Sequence, residues 1–186
     1  MNIGISVGHS ILASGECTGA DGTVFGGGNE YEFCARLAPA LKTLLEEAGH
    51  TVTLLKVPEK TLKDLAEERK FKISQYNGKD YDFLLELHLN ESSRPRAEGT
   101  EALYISDEGK KYAEAIVKKL SKEGGEGIWK GRNAKRRADI SFLNNSKATA
   151  VQLELFFCTN KSEWKRGQKN RRKIAKLITE AIESVG

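Results

Sequence analysis

The 186-residue sequence has little cysteine: Cys17, Cys34 and Cys158 are the only three. An odd number without paired spacing excludes a disulfide framework and a structural zinc finger, and points to synthesis in a reducing compartment. Long apolar runs are also missing. No stretch approaches the roughly 20 apolar residues that a membrane helix needs. The opening Met-Asn-Ile-Gly-Ile-Ser-Val-Gly has neither a basic leader nor a long apolar segment, so a membrane protein and a conventional secreted precursor are both excluded. There is no internal repeat and no linker. A local metalloprotease signature of the HExxH type is absent too.

What is present describes one globular domain, residues 1–186, with 39% hydrophobic and 30% charged residues. A domain of this size buries about 70% of its unfolded surface, so it needs no metal merely to fold. Net charge is +4, but it is unevenly spread. Residues 1–50 carry −4, 51–100 carry 0, and 101–150 and 151–186 carry +4 each. An acidic front can hold a cation, whereas a basic back favours a polyanion such as nucleic acid or an anionic wall polymer. A solvated charged surface is the plain alternative.

Ile3, Ile5 and Val7 alternate as a short strand ending at Gly8-His9. The stretch GECTGADGTVFGGG (15–28) reads as a long functional loop. Asn29 then caps a helix over 30–48, with Phe33, Leu37, Leu41 and Leu45 on one face and Gly49 as its stop. A strand over 51–57 is closed by Pro58, and 59–76 reads as a charged helix. DFLLELHL (82–89) is the near-continuous apolar run of a strand buried on both faces. A strand over 100–106, a helix over 107–122 and a Gly- and Lys/Arg-rich excursion over 123–137 follow. AVQLELFF (150–157) is another apolar strand, and 161–184 a basic amphipathic helix. Strands alternating with helices predict a single α/β domain, a mainly parallel sheet flanked by helices on both faces.

Ionisable groups interrupt or end three of these strands: His9, His88 and Glu154. Glu30 opens the first helix. Ligands of open α/β sheets bind at the carboxyl ends of the strands, where such residues can converge. Two imidazoles and a carboxylate are a common catalytic zinc set, and a further carboxylate can move the proton of a water. Each residue also has a plain reading: a loop histidine, or an acid favoured by a helix N-terminus. A charge within an apolar strand is costly unless paired or bound to metal. Residue chemistry alone leaves a metal site and unrelated polar positions equally open. Glu86 shares a strand face with His88 and either orients its imidazole or pairs with a basic residue.

In the order Gly8-His9, Glu30 with Leu37, Leu41 and Gly49, LELHLN with His88 and Asn90, and LELFFCTN with Glu154 and Asn160, the sequence resembles the zinc-dependent N-acetylmuramoyl-L-alanine amidases. The catalytic domains of clostridial phage endolysins are similar in style. The resemblance spans residues 2 to about 182. It implies one Zn2+ held by His9, Glu30 and His88, with Glu154 as catalytic acid/base; Glu86 and Asn90 are candidates for a supporting role beside them. The implied substrate is peptidoglycan, cut between N-acetylmuramic acid and L-alanine in a phage lysis setting, by an enzyme that is made in the cytoplasm and reaches the wall through a pore or after lysis. A monomer with no membrane and no nucleic-acid partner is expected, its basic C-terminal part facing anionic wall polymers. No separate wall-binding domain is visible.

Departures are the Gly8-His9-Ser10-Ile11 opening, the longer glycine loop, and Glu91 where a small residue is usual. Asp21 reads as a turn residue, Cys17 as a loop thiol and Cys158 as a small buried hydrophobe. The rival enzyme reading is a zinc carboxypeptidase or endopeptidase acting on stem peptides. A second rival is a non-catalytic module binding wall or nucleic acid through KGRNAKRR (130–137), beside Trp129, and KRGQKNRRK (165–173).

Overall fold

A computed structural model describes residues 1–186. Six strands form one sheet: β1 (Asn2–Val7), β2 (Thr51–Leu55), β3 (Phe83–Asn90), β4 (Thr100–Tyr104), β5 (Gly131–Arg136) and β6 (Thr149–Phe157). Their order is β2-β1-β3-β6-β4-β5. All pairs are parallel except β4 with β6. The apolar runs of β3 and β6 lie at the centre, as a strand covered on both faces requires. Helices α1 (Glu30–Glu47), α3 (Asp107–Leu120) and α6 (Arg171–Glu183) cover one face and contribute to the main core. Helices α2 (Leu65–Tyr76) and α4 (Ser141–Asn145) cover a smaller core on the other, built on Leu55, Leu84, Leu103 and Phe142. Helix α5 (Lys161–Lys169) leads into α6. No helix is long and apolar enough to cross a membrane.

Local chemistry sets the helix starts. The side chains of Asn29, Asp64, Ser106 and Asn160 each accept a backbone N–H from the first turn of α1, α2, α3 and α5, satisfying donors that the helix leaves unpaired.

Three elements differ from the sequence expectation. The helix expected over 59–76 begins only at Leu65, after Asp64 in extended conformation and Lys60 at φ 59°. Residues 60–62 spend their backbone groups on the segment before the glycine loop instead: Lys60 N–H donates to the Ile11 carbonyl at 2.8 Å and the Leu62 carbonyl accepts from Ala13 N–H at 2.7 Å. The helix expected over 161–184 is two, broken at Asn170, whose N–H and Nδ2 donate to the carbonyls of Gly167 and Arg166. Gly167 marks a close approach, since a Cβ there would lie 2.6 Å from the Phe156 ring. Finally, the excursion over 123–137 contains β5, a polar edge strand that pairs through its backbone and carries no hydrophobic alternation to betray it.

Candidate functional site

Strand register builds the site. Ser6, Glu86 and Gln152 lie side by side across β1, β3 and β6, and His88 pairs with Glu154 across β3 and β6. Side chains two apart on a strand share a face, so Glu86 and His88, and Gln152 and Glu154, form one polar patch at the carboxyl end of an otherwise apolar sheet. His9 follows β1 at φ 63°, a conformation few side chains adopt. Glu30 enters from above as the first residue of α1 and is 2% exposed.

Glu30 ties the group together. Its Oε1 accepts from Leu89 N–H at 2.9 Å and lies 2.9 Å from His88 Nδ1. Its Oε2 accepts from Ala20 N–H at 2.8 Å and lies 3.3 Å from His9 Nε2. One donor atom from each of His9, Glu30 and His88 falls within 4.8 Å of the others, a spacing and a nitrogen–nitrogen–oxygen set that fit a divalent cation of the zinc class. The two imidazoles meet edge to face, centroids 4.9 Å apart.

Electrostatics couple the same groups. Burial pushes the Glu30 carboxyl up, but the His88 hydrogen bond and the His88 and His9 charges outweigh it and hold the pKa at about 2. Burial pushes the His9 imidazole down, against the opposing effect of the Glu30 carboxylate. Burial also lowers His88, but hydrogen bonds and charges from Glu30 and Glu86 raise it overall. Glu154 is raised by burial, against opposing effects of the His88 charge and the Gln152 hydrogen bond, which puts it nearer the range useful for proton transfer. Gln152 Nε2 donates to Glu154 Oε1 at 2.8 Å and fixes that carboxyl.

Both alternatives for Glu86 occur together. Its Oε2 is 3.2 Å from His88 Nε2, while Oε1 accepts from Tyr76 OH at 2.6 Å and lies 3.4 Å from Lys72 Nζ. Asn90 does not touch an imidazole; it lines a cavity of about 550 Å³ together with His9, Glu30, Glu91, Glu154 and Asp21. Asp21 accepts from Thr23 N–H, as a turn residue does. Cys17 contacts the Asn29 side chain, outside the cluster. Cys158 is fully buried, and burial pushes its thiol up to about 12.

Gln152 and Glu68 escaped the sequence reading as site residues. Gln152 has a signal, a polar residue two positions before Glu154 in an apolar strand. Glu68 has none: its Oε2 accepts from Ser10 Oγ at 2.7 Å and Thr18 Oγ1 at 2.9 Å, tying the residue after His9 and the glycine loop to α2, a long-range contact invisible in α2 itself. Gly8 is equally specific. A Cβ there would lie 2.5 Å from His88 Cε1, so Gly8→Ala must displace the imidazole. The expected result is an unchanged far-ultraviolet circular dichroism spectrum with about a hundredfold loss of hydrolysis, the effect of a small misplacement of a reacting group. Activity within twofold of wild type would show that the ring position is not critical.

Comparison with known proteins agrees with this geometry. No curated protein matches the sequence. Among solved structures, the catalytic domain of the CD27L endolysin targeting Clostridia difficile is similar at 43% identity and TM-score 0.91, covering 99% of this chain and 97% of that one. The CwlD amidase of Clostridioides difficile, solved with the GerS lipoprotein, shares the fold at 22% identity and TM-score 0.85, over 99% and 97% of the two chains. The catalytic domain of CwlV, an N-acetylmuramoyl-L-alanine amidase from Bacillus (Paenibacillus) polymyxa var. colistinus, does so at 18% identity and TM-score 0.77, over 98% and 96%. The family profile described as N-acetylmuramoyl-L-alanine amidase matches residues 3–184, and the chain belongs to that family of peptidoglycan hydrolases.

Proposed function

We propose that His9, Glu30 and His88 hold one Zn2+ and that Glu154 is the acid/base of amide hydrolysis between N-acetylmuramic acid and L-alanine, in an endolysin-type catalytic domain spanning residues 1–186. The observation that carries this is the convergence of the three donor atoms within 4.8 Å, with Glu154 beside His88 in strand register. When bound, zinc supplies Lewis acidity, polarising the scissile carbonyl and acidifying water. Every proton movement falls to the protein. Glu154 accepts a proton from the attacking water and returns it to the leaving nitrogen as the C–N bond breaks, yielding a lactyl carboxylate and a free L-alanine amine. Gln152 holds the carboxyl in place during both transfers. Glu86, anchored by Tyr76 and Lys72, fixes the ring plane of His88. The basic segments 130–137 and 165–173 face anionic wall polymers rather than nucleic acid.

The test is release of soluble fragments from purified peptidoglycan, with new amino termini identified, for enzyme as purified, after chelation, and after zinc is restored. L-Alanine termini that vanish on chelation and return with zinc are expected. Another amino terminus would indicate a stem-peptide peptidase. Wall binding without release would indicate a binding module. Release that survives chelation would remove the metal from the reading.

A further inference from the structure

Beside the cavity at the cluster lies a second one, of about 570 Å³, which shares Asn90 and Glu91 with it and is lined also by Arg94, Arg96, Arg132 and Phe157. The arginines differ in their partners. Arg132 Nε donates to Glu101 at 2.8 Å, and its guanidinium lies over the Phe157 ring, 5.1 Å from the centroid. Arg94 and Arg96 are exposed and pair with no carboxylate of the chain. Their backbone is nevertheless held. Ala97 N–H donates to Arg94 carbonyl at 2.9 Å, Asn160 Nδ2 to Ala97 carbonyl at 3.0 Å, Ser92 N–H to Thr159 Oγ1 at 3.1 Å and Gly99 N–H to Glu163 at 3.0 Å. Two unneutralised guanidiniums on a pinned loop therefore line a cavity that shares Asn90 and Glu91 with the one at the cluster.

The chemistry selects which half of the substrate lies there. Glu154 must reach the leaving nitrogen, so the peptide leaves on the side where Glu154 stands. Glu154 lines the first cavity and is absent from the smaller one beyond His9 and His88, which is walled by Leu65, Ile73 and Phe142 together with Glu68, Arg69 and Lys72. The peptide is also the anionic half of the substrate: the residue after L-alanine is a γ-linked glutamate whose α-carboxyl is free in some walls and amidated in others. Planar guanidinium forks match a free carboxylate in geometry and charge.

We infer that Arg94 and Arg96, at the mouth of the cavity beyond Asn90, form a subsite for a free carboxylate of the stem peptide and so determine which peptidoglycan is cut. This inference rests on the amidase reading and deepens it. The test compares two soluble disaccharide tetrapeptides, identical except that the glutamyl α-carboxyl is free in one and amidated in the other. Arg94→Ala/Arg96→Ala is expected to raise KM for the free acid about tenfold, the effect of losing a charge-assisted hydrogen bond, with kcat unchanged and the amidated substrate affected less than twofold. Equal changes for both substrates, or none, would overturn the subsite. Loss confined to whole cell walls, with soluble substrates unaffected, would also overturn it and assign the arginines to an anionic wall polymer. Wild type that cleaved neither substrate would instead overturn the amidase reading on which the subsite depends.

Discussion

Glu154→Gln is expected to give a folded, metal-binding protein that cleaves a soluble muramoyl peptide about a thousandfold more slowly than wild type, the middle of the range for removing a general acid/base. The substitution keeps the shape and the hydrogen-bonding capacity needed by Gln152 Nε2, which now donates to Glu154 Oε1. It removes the one property the proposed mechanism asks of this residue, accepting a proton from water and returning it. Glu154 is 8% exposed, and its pKa is raised because burial disfavours the charge. Neutralising it relieves that desolvation, so the melting temperature should stay level or rise. The measurements are initial rate, zinc stoichiometry and thermal melting on the same preparation. A variant with bound zinc that retains more than a tenth of the wild-type rate would exclude Glu154 as the acid/base.

Glu30→Gln is expected to act on three properties at once: zinc is no longer retained, hydrolysis falls to background, and the fold is weakened. The carboxylate accepts from Leu89 N–H and Ala20 N–H and stands against both imidazoles. A carboxamide has one accepting oxygen, so its NH2 must face a backbone N–H or a ring nitrogen in a buried place. Removing one partner of a buried charged group costs about 3 kcal/mol or more. For a domain of this length that lowers the melting temperature by roughly 6–12 °C. The pH dependence has a definite sign. The folded pKa of Glu30, about 2, is depressed from an ordinary 4.5. Its contribution is therefore present above the ordinary value and lost as pH falls from there toward 2. Wild type should lose stability across that window, and Glu30→Gln should lack this part of the acid transition. Stoichiometric zinc with wild-type melting in Glu30→Gln would refute the cluster as a metal centre.

Legibility followed the range of the interactions. Strands β1, β3 and β6 and helices α1 and α3 could be read because their apolar period is local and strong. The candidate residues His9, His88 and Glu154 stood out for a related reason: an ionisable group at the end or in the middle of an apolar strand is conspicuous. Glu86 was visible in the same way, though not the Tyr76 and Lys72 that hold it. Edge strand β5 escaped because backbone pairing asks nothing of its charged side chains. The start of α2 was misplaced because residues 60–62 pair with Ile11 and Ala13, a demand that originates some 50 positions away.

By itself the sequence determined the α/β class, the central strands, the Asn29 cap of α1 and four conspicuous ionisable side chains, while amide hydrolysis entered only through the family resemblance. These follow from local periodicity, capping chemistry and the high cost of burying a charge. Only the tertiary structure decided that Glu30 faces both imidazoles, that His88 stands beside Glu154, that Glu68 holds Ser10 next to His9, and that Arg94 and Arg96 line a cavity neighbouring the one at the cluster. Each of these is set by strand order and register, which depend on how distant segments bury their apolar faces together and on no single stretch of residues.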